Sequence, residues 1–286
     1  MRSFFLILFV PFWFSCQQGQ DETTESSVDE GMNVKQHEEN TTEYGIIWNY
    51  EDHFSDSEKV KMETWIHEVY NATIQTLGQY PFDINVFFHR NNRNTAVTFG
   101  HTRRGAQQSV HFYVNPSFPI EDFEQDWIAP HEISHLSAPF VGKNAKWFSE
   151  GYATYLSRRI MINMGYFNDR QFDSLYYLRI NGTLPAYSSE TKTFQEVSDS
   201  LLDEYEYSDL YWGSTSFFVT SDSLLQIYHD MRFTDLVREY QLCCRMKDKN
   251  LDDLIHSYDA IISDTIFTHL LWGYRNLPGA EVMKGY

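Results

Sequence analysis

Four short runs rich in Val, Ile, Phe and Tyr, "YGIIWNYE", "DINVFFH", "TAVTFG" and "SVHFYV", occur between residues 43 and 115 with turn residues between them. That pattern predicts strands of one sheet. Between the first two, "DSEKVKMETWIHEVYNATIQTLGQY" places Val60, Trp65, Val69, Ala72 and Leu77 at helical spacing, and Gly78 and Pro81 close the run. An amphipathic helix packed on the sheet is expected. From about residue 120 the periodicity changes to helical, in "EDFEQDWIAPHEISHL", "KWFSEGYATYLSRRIMINMG", "LYWGSTSFFVTSDSLLQIYHDM", "FTDLVREYQLCCRM" and "LIHSYDAIISDTIFTHLLW". The chain therefore reads as an α+β fold, with a small mixed sheet lobe over 44–119 and a helical lobe over 120–286. A cleft is expected where the two meet.

Composition changes this picture mainly at the amino terminus. The body has ample material for a core, since 42% of the chain is hydrophobic and 17% aromatic. Residues 1–15, "MRSFFLILFVPFWFS", join one positive charge to an apolar run too short for an ordinary membrane span, which predicts a signal peptide. Cys16 follows Ser15, and "WFSC" resembles the lipobox of bacterial lipoproteins, which implies a lipid anchor on Cys16 and an extracytoplasmic protein in the periplasm or at the outer cell surface. Residues 17–43 hold eight acidic residues, one Lys and no aromatic, the composition of an unfolded tether. The formal net charge of -18 argues against a nucleic-acid partner, which would need clustered Lys and Arg. Cys243 and Cys244 are adjacent, a spacing that rarely bridges, so they are expected as free thiols in a buried helix.

The chemistry concentrates in "HEISHLSAPFVGKNAKWFSEGYATY" over 131–155. On a helix, positions four apart share a face, so His131 and His135 can present imidazoles to one ion, with Glu132 about 100° round the helix. Pro139 and Gly142 predict a break, and Asn144 is a plausible cap for a new helix that returns Glu150 as the third ligand. Two imidazoles and a carboxylate suit Zn2+ and leave one position for water, whose proton Glu132 would take. Thr154, one turn beyond Glu150, could bond a ligand and fix its orientation.

HExxH followed by "WFSEGYATY" resembles the gluzincin zinc metallopeptidases, especially the aminopeptidase-N-like, glycyl-aminopeptidase-like and compact peptidase MA-like catalytic domains, over roughly residues 45–230. The resemblance implies a thermolysin-like zincin fold, zinc on His131, His135 and Glu150, and Glu132 as general base and acid. This chain departs from the pattern in three respects. Only fourteen residues separate His135 from Glu150, which requires a tighter connection than the aminopeptidase-N-like one. Pro130 precedes the first ligand, so the helix either starts there or is kinked. The upstream segment that matches "GAMEN", an edge-strand motif whose glutamate holds a substrate's free amino terminus, is "RGAQQ": Gly105 and Ala106 match, and Gln108 replaces the glutamate. A neutral amide cannot offer an ammonium group the charge pairing that a carboxylate gives, which favours an endopeptidase over an aminopeptidase. "EYEYSDLYWGS" resembles the segment that supplies an oxyanion-stabilising tyrosine, with Tyr211 or Tyr207 as candidates. The expectation is a zinc peptidase acting on peptide or protein substrates; the alternative is an inactive metal-binding surface lipoprotein.

Overall fold

The computed structural model of the protein describes residues 44–283. The expected signal peptide, lipidated Cys16 and acidic tether lie outside the described residues. Among the described residues, no helix is long and apolar enough to cross a membrane.

All four expected strands form and make one sheet in the order β1-β2-β4-β3: β1 Ile46–Tyr50, β2 Ile84–Arg90, β3 Val97–Arg103 and β4 Gln108–Val114. β1, β2 and β4 run parallel, and β3 returns antiparallel to β4 as an edge. Alternation sorts the side chains. Ile84, Val86, Phe88, Val110, Phe112 and Val114 are buried on one face. That face packs on α1, Asp56–Leu77, whose Met62, Trp65, Ile66 and Val69 are fully buried. α1 starts in a capping box between Ser55 and Glu58 and ends at Gly78. Val60, expected on the apolar stripe, is 63% exposed; the stripe runs instead through Met62 and Ile66.

The stretch read as one helix around residue 127 is broken into α2, Ile120–Glu124, and α3, Ile128–Ser134, with a 3-10 turn over His135–Ser137. α4 is Lys146–Asn163 and α7 is Tyr207–His229; these two form the centre of the helical lobe. Gly151 makes their close approach feasible, because a Cβ there would lie 2.5 Å from the Ser214 backbone. α5 Asp169–Thr183 and α6 Phe194–Asp203 fill the loop that the sequence left unassigned, each opened by a capping box, at Asn168/Gln171 and Thr193/Glu196. α8 is Phe233–Cys243. The last expected helix is two, α9 Leu251–Ile262 and α10 Ile266–Asn276, separated at Ser263, whose φ of 53° is left-handed. A short α11, Gly279–Val282, ends the described chain.

The cysteines correct an expectation. Cys243 and Cys244 are joined as a disulfide at the end of α8, where Cys243 is exposed and Cys244 half-buried. Cys243 is the last residue of α8 and Cys244 has left helical geometry (φ -131°), so the pair spans the helix end and does not lie within a helix.

Candidate metal centre

The buried side chains divide into two apolar clusters, and the HExxH helix belongs to one while the returning helix belongs to the other. α3 is fastened to the sheet core by Ala129, Ile133 and Leu136, each 0–1% exposed. Burial of the last two is worth about 2 kcal/mol each. α4 is fastened to the helical core by Trp147, Phe148, Tyr152 and Tyr155. His131 and His135 project from α3 and its 3-10 extension, Glu150 projects from α4, and all three are buried between the clusters.

Local sequence explains both helix ends. Pro130 is the third residue of α3, so the helix does not start at it. First-turn N–H groups have no intrahelical acceptor, so a proline there loses no ladder bond. The Asp126 carboxylate accepts from the Ile128 N–H at 2.7 Å and serves the same turn. Pro139 forces Ala138 into extended geometry, φ -121° and ψ 155°, and so stops the chain after His135 has been placed. Asn144 does not cap α4. Residues 143–145 form a 3-10 turn, and α4 begins after Ala145 with no side-chain cap.

His131 Nε2 lies 3.2 Å and His135 Nε2 3.6 Å from Glu150 Oε2. The three ligand atoms fall within 4.8 Å of one another. A tetrahedral ion at about 2.0–2.1 Å from each donor requires donors roughly 3.4 Å apart, so these residues fit one. Buried His131, His135 and Glu150 could thus hold a metal ion. The imidazole rings meet edge to face, at 87° and 4.8 Å, which lets both Nε2 atoms converge. Ser149 Oγ sits 3.3 Å from His135 Nδ1 and fixes that ring. His131 Nδ1 is buried without a partner, and its ring is held instead by an edge contact from Trp127 at 5.1 Å and by stacking on Tyr211 at 5.6 Å.

Burial and neighbouring charge pull in opposite directions on His135 and Glu150. Burial lowers the His135 pKa against the opposing pull of Glu150, favouring the neutral imidazole that a metal needs. Burial alone would raise Glu150, but the charges and hydrogen bonds of His135 and His131 hold its carboxyl well below the usual range. Lys146, one turn earlier, pairs with the other carboxylate oxygen at 2.5 Å. Burial, then the charges of Glu150 and Glu132, raise the Tyr211 pKa and keep that hydroxyl protonated.

Glu132 is positioned by the edge strand. The single proton of Thr102 Oγ1 is shared between two acceptors, the Glu132 carbonyl at 2.6 Å and Glu132 Oε2 at 2.8 Å. Gly100 leaves room for this carboxylate: a Cβ there would stand 2.8 Å from Glu132 Cγ and 2.7 Å from Ile128 Cγ2. Thr98, Phe99 and Gly100 of β3, together with Glu132, His131 and Tyr211, line a cleft of about 510 Å³.

Of the expected site residues, His131, Glu132, His135, Glu150 and Tyr211 come together. Tyr207 lies on the cleft rim, 44% exposed and 6.2 Å from the Tyr211 ring. Thr154 is buried, and its hydroxyl bonds no ligand and has no partner. Gly105, Ala106 and Gln108 do not line this cleft. Gln108 opens β4, an interior strand, and its amide bonds Arg245 at 3.2 Å and Gly105 O at 3.0 Å. The edge strand beside Glu132 is β3, which precedes the strand that Gln108 opens. Sequence reasoning missed Thr102, Ser149, Lys146 and Arg104, whose guanidinium donates to His135 O at 3.0 Å and Ser149 Oγ at 3.3 Å. Lys146 could have been found from its i,i+4 spacing to Glu150; a lone strand threonine carries no comparable signal. Comparison with models of known families and with curated proteins finds no match for the chain.

Proposed function

We propose that this chain is a zinc-dependent peptidase that hydrolyses internal peptide bonds, tethered outside the cytoplasm through Cys16. The carrying observation is the convergence of His131 Nε2, His135 Nε2 and Glu150 Oε2, of which His131 lines, together with Glu132, one cleft. Two neutral imidazoles and one carboxylate are a donor set that suits zinc. Bound zinc would act as a Lewis acid and lower the pKa of a coordinated water to about 7.

The chain's own residues supply the rest. With Thr102 holding it in place, the Glu132 carboxylate would accept the water's proton and return it to the leaving nitrogen. The Tyr211 hydroxyl, kept protonated, donates to the oxygen on which charge develops. Among the described residues β3 pairs only with β4, so its free edge can add an extended substrate strand. No carboxylate other than Glu132 lines the cleft, which leaves a free substrate amino terminus unpaired and supports internal cleavage.

The test is cleavage of a quenched peptide library by the full chain. Turnover should vanish with a chelator and return with zinc, and Glu132→Gln should lower it at least ~100-fold while zinc stays bound. Glu132→Gln turning over at the wild-type rate would refute the mechanism. Zinc bound without turnover would favour a binding protein instead. Blocking substrate amino termini should not reduce cleavage; a strict need for the free amine would mark an aminopeptidase.

A further inference from the structure

A second pocket, of about 200 Å³, opens at the far end of the metal-binding helix, between the β3–β4 turn and the segment after α8. Arg104 and Arg245 both line it, and Arg245 is only 5% exposed. Among the described residues, neither guanidinium has a carboxylate within ion-pair distance. Arg104 donates to His135 O, Pro139 O and Ser149 Oγ, at 3.0, 3.2 and 3.3 Å. Arg245 donates to Leu136 O at 2.7 Å and to Gln108 Oε1 at 3.2 Å, and lies over the Phe82 ring at 5.1 Å. Arg104 Nε and Arg245 Nη1 make no hydrogen bond among the described residues. Lys249 adds a third cation to the lining and Asp248 a single anion, with no ion pair from Asp248 to either arginine.

Buried cations are costly unless compensated, and two that share a pocket repel each other as well. Both guanidinium groups are cations at neutral pH. Neutral carbonyls and one amide satisfy several of the donors but supply no opposite charge. The planar fork of arginine matches an oxyanion, and the rim residues Phe140 and Met246, each 54% exposed, leave the pocket accessible. In a chain of net charge -18 this basic concavity is a local reversal of sign.

We propose that Arg104 and Arg245 form a binding site for a small oxyanion, a phosphate or a carboxylate, behind the metal-binding helix. The site does not depend on the peptidase reading, and it meets the metal centre through the His135 and Leu136 carbonyls and through Ser149 Oγ, which Arg104 bonds and which in turn lies 3.3 Å from His135 Nδ1. The test is calorimetric titration of the metal-free full chain with inorganic phosphate and, separately, with acetate. Saturable binding with a dissociation constant below about 10 mM is expected for at least one, and the stronger of the two identifies phosphoryl or carboxylate as the ligand chemistry. Arg245→Gln removes the fork but risks the fold, so Gln108→Glu is the second variant: it places a carboxylate beside Arg245 and should weaken anion binding ~10-fold or more while circular dichroism stays unchanged. Absence of binding by both anions, or unaltered affinity in a folded Gln108→Glu, would overturn the proposal.

Discussion

Two groups of histidines in this protein show how differently helices and strands use the same side chain. On α3, spacing of four brings His131 and His135 edge to face, with both Nε2 atoms aimed at one carboxylate oxygen. On the face of the sheet turned away from α1, strand register places Phe87 and His101 on either side of His111. Their rings stack almost parallel at 4.4 and 4.6 Å, which is the spacing between strands. Stacked rings cannot turn their nitrogens to a common point. His89 Nε2 does approach His111 Nδ1 at 3.1 Å, as one imidazole hydrogen-bonding another, and among the described residues no carboxylate forms an ion pair with either ring. Convergence on an anion, and not the number of histidines, separates a metal centre from an aromatic ladder.

The comparison is broken most severely by removing the anion. Glu150→Gln keeps the shape of the helical-lobe ligand but not its charge, and should weaken zinc affinity by more than ~100-fold in competition with a chromophoric chelator. His101→Gln and His111→Gln should leave that affinity unchanged. A loss of zinc in either sheet variant would mean that the ladder, too, holds metal. Next in size, Gly100→Ala drives a methyl into Glu132, and should lower peptide cleavage ~10- to 100-fold with zinc retained, because the base and not the ligand set is displaced.

The ladder has its own signature in acid. Burial, then the neighbouring charges of His101, Arg103 and His89, lower the His111 pKa to about 4. As pH falls from about 6.5 to 4 the unfolded chain binds this proton before the folded one does, so stability declines across that window. His111→Gln should shrink the decline by roughly 2 kcal/mol, read from urea unfolding at pH 7 and pH 4.5. An undiminished decline in the variant would place the acid sensitivity elsewhere. The smallest effect is expected at Thr154, whose buried hydroxyl has no partner: Thr154→Val should alter stability by less than about 1 kcal/mol and leave zinc affinity alone. A tenfold loss of affinity would restore the ligand-orienting role that the sequence suggested.

The four strands and α1 were legible because alternation and helical periodicity are strong over those stretches, and "HEISH" with a returning glutamate was legible because both halves of the ligand set lie within 131–155. What escaped was long-range. β3 takes the edge by passing outside β4, so the strand that touches Glu132 precedes the one the "RGAQQ" resemblance selected. The stacking of His89, His101 and His111 exists only once register is set. α5 and α6 open in capping boxes, at Asn168/Gln171 and Thr193/Glu196, that are legible in the sequence as signs of a helix start. Asn144 failed as a cap because a 3-10 turn carries the chain through it into α4.

Metal content decides the central claim. After dialysis of the full chain against micromolar zinc, inductively coupled plasma mass spectrometry should find about one zinc per chain in the wild type and in His111→Gln, and essentially none in His135→Gln. Equal zinc in His135→Gln and the wild type, or no zinc in the wild type, would contradict the account.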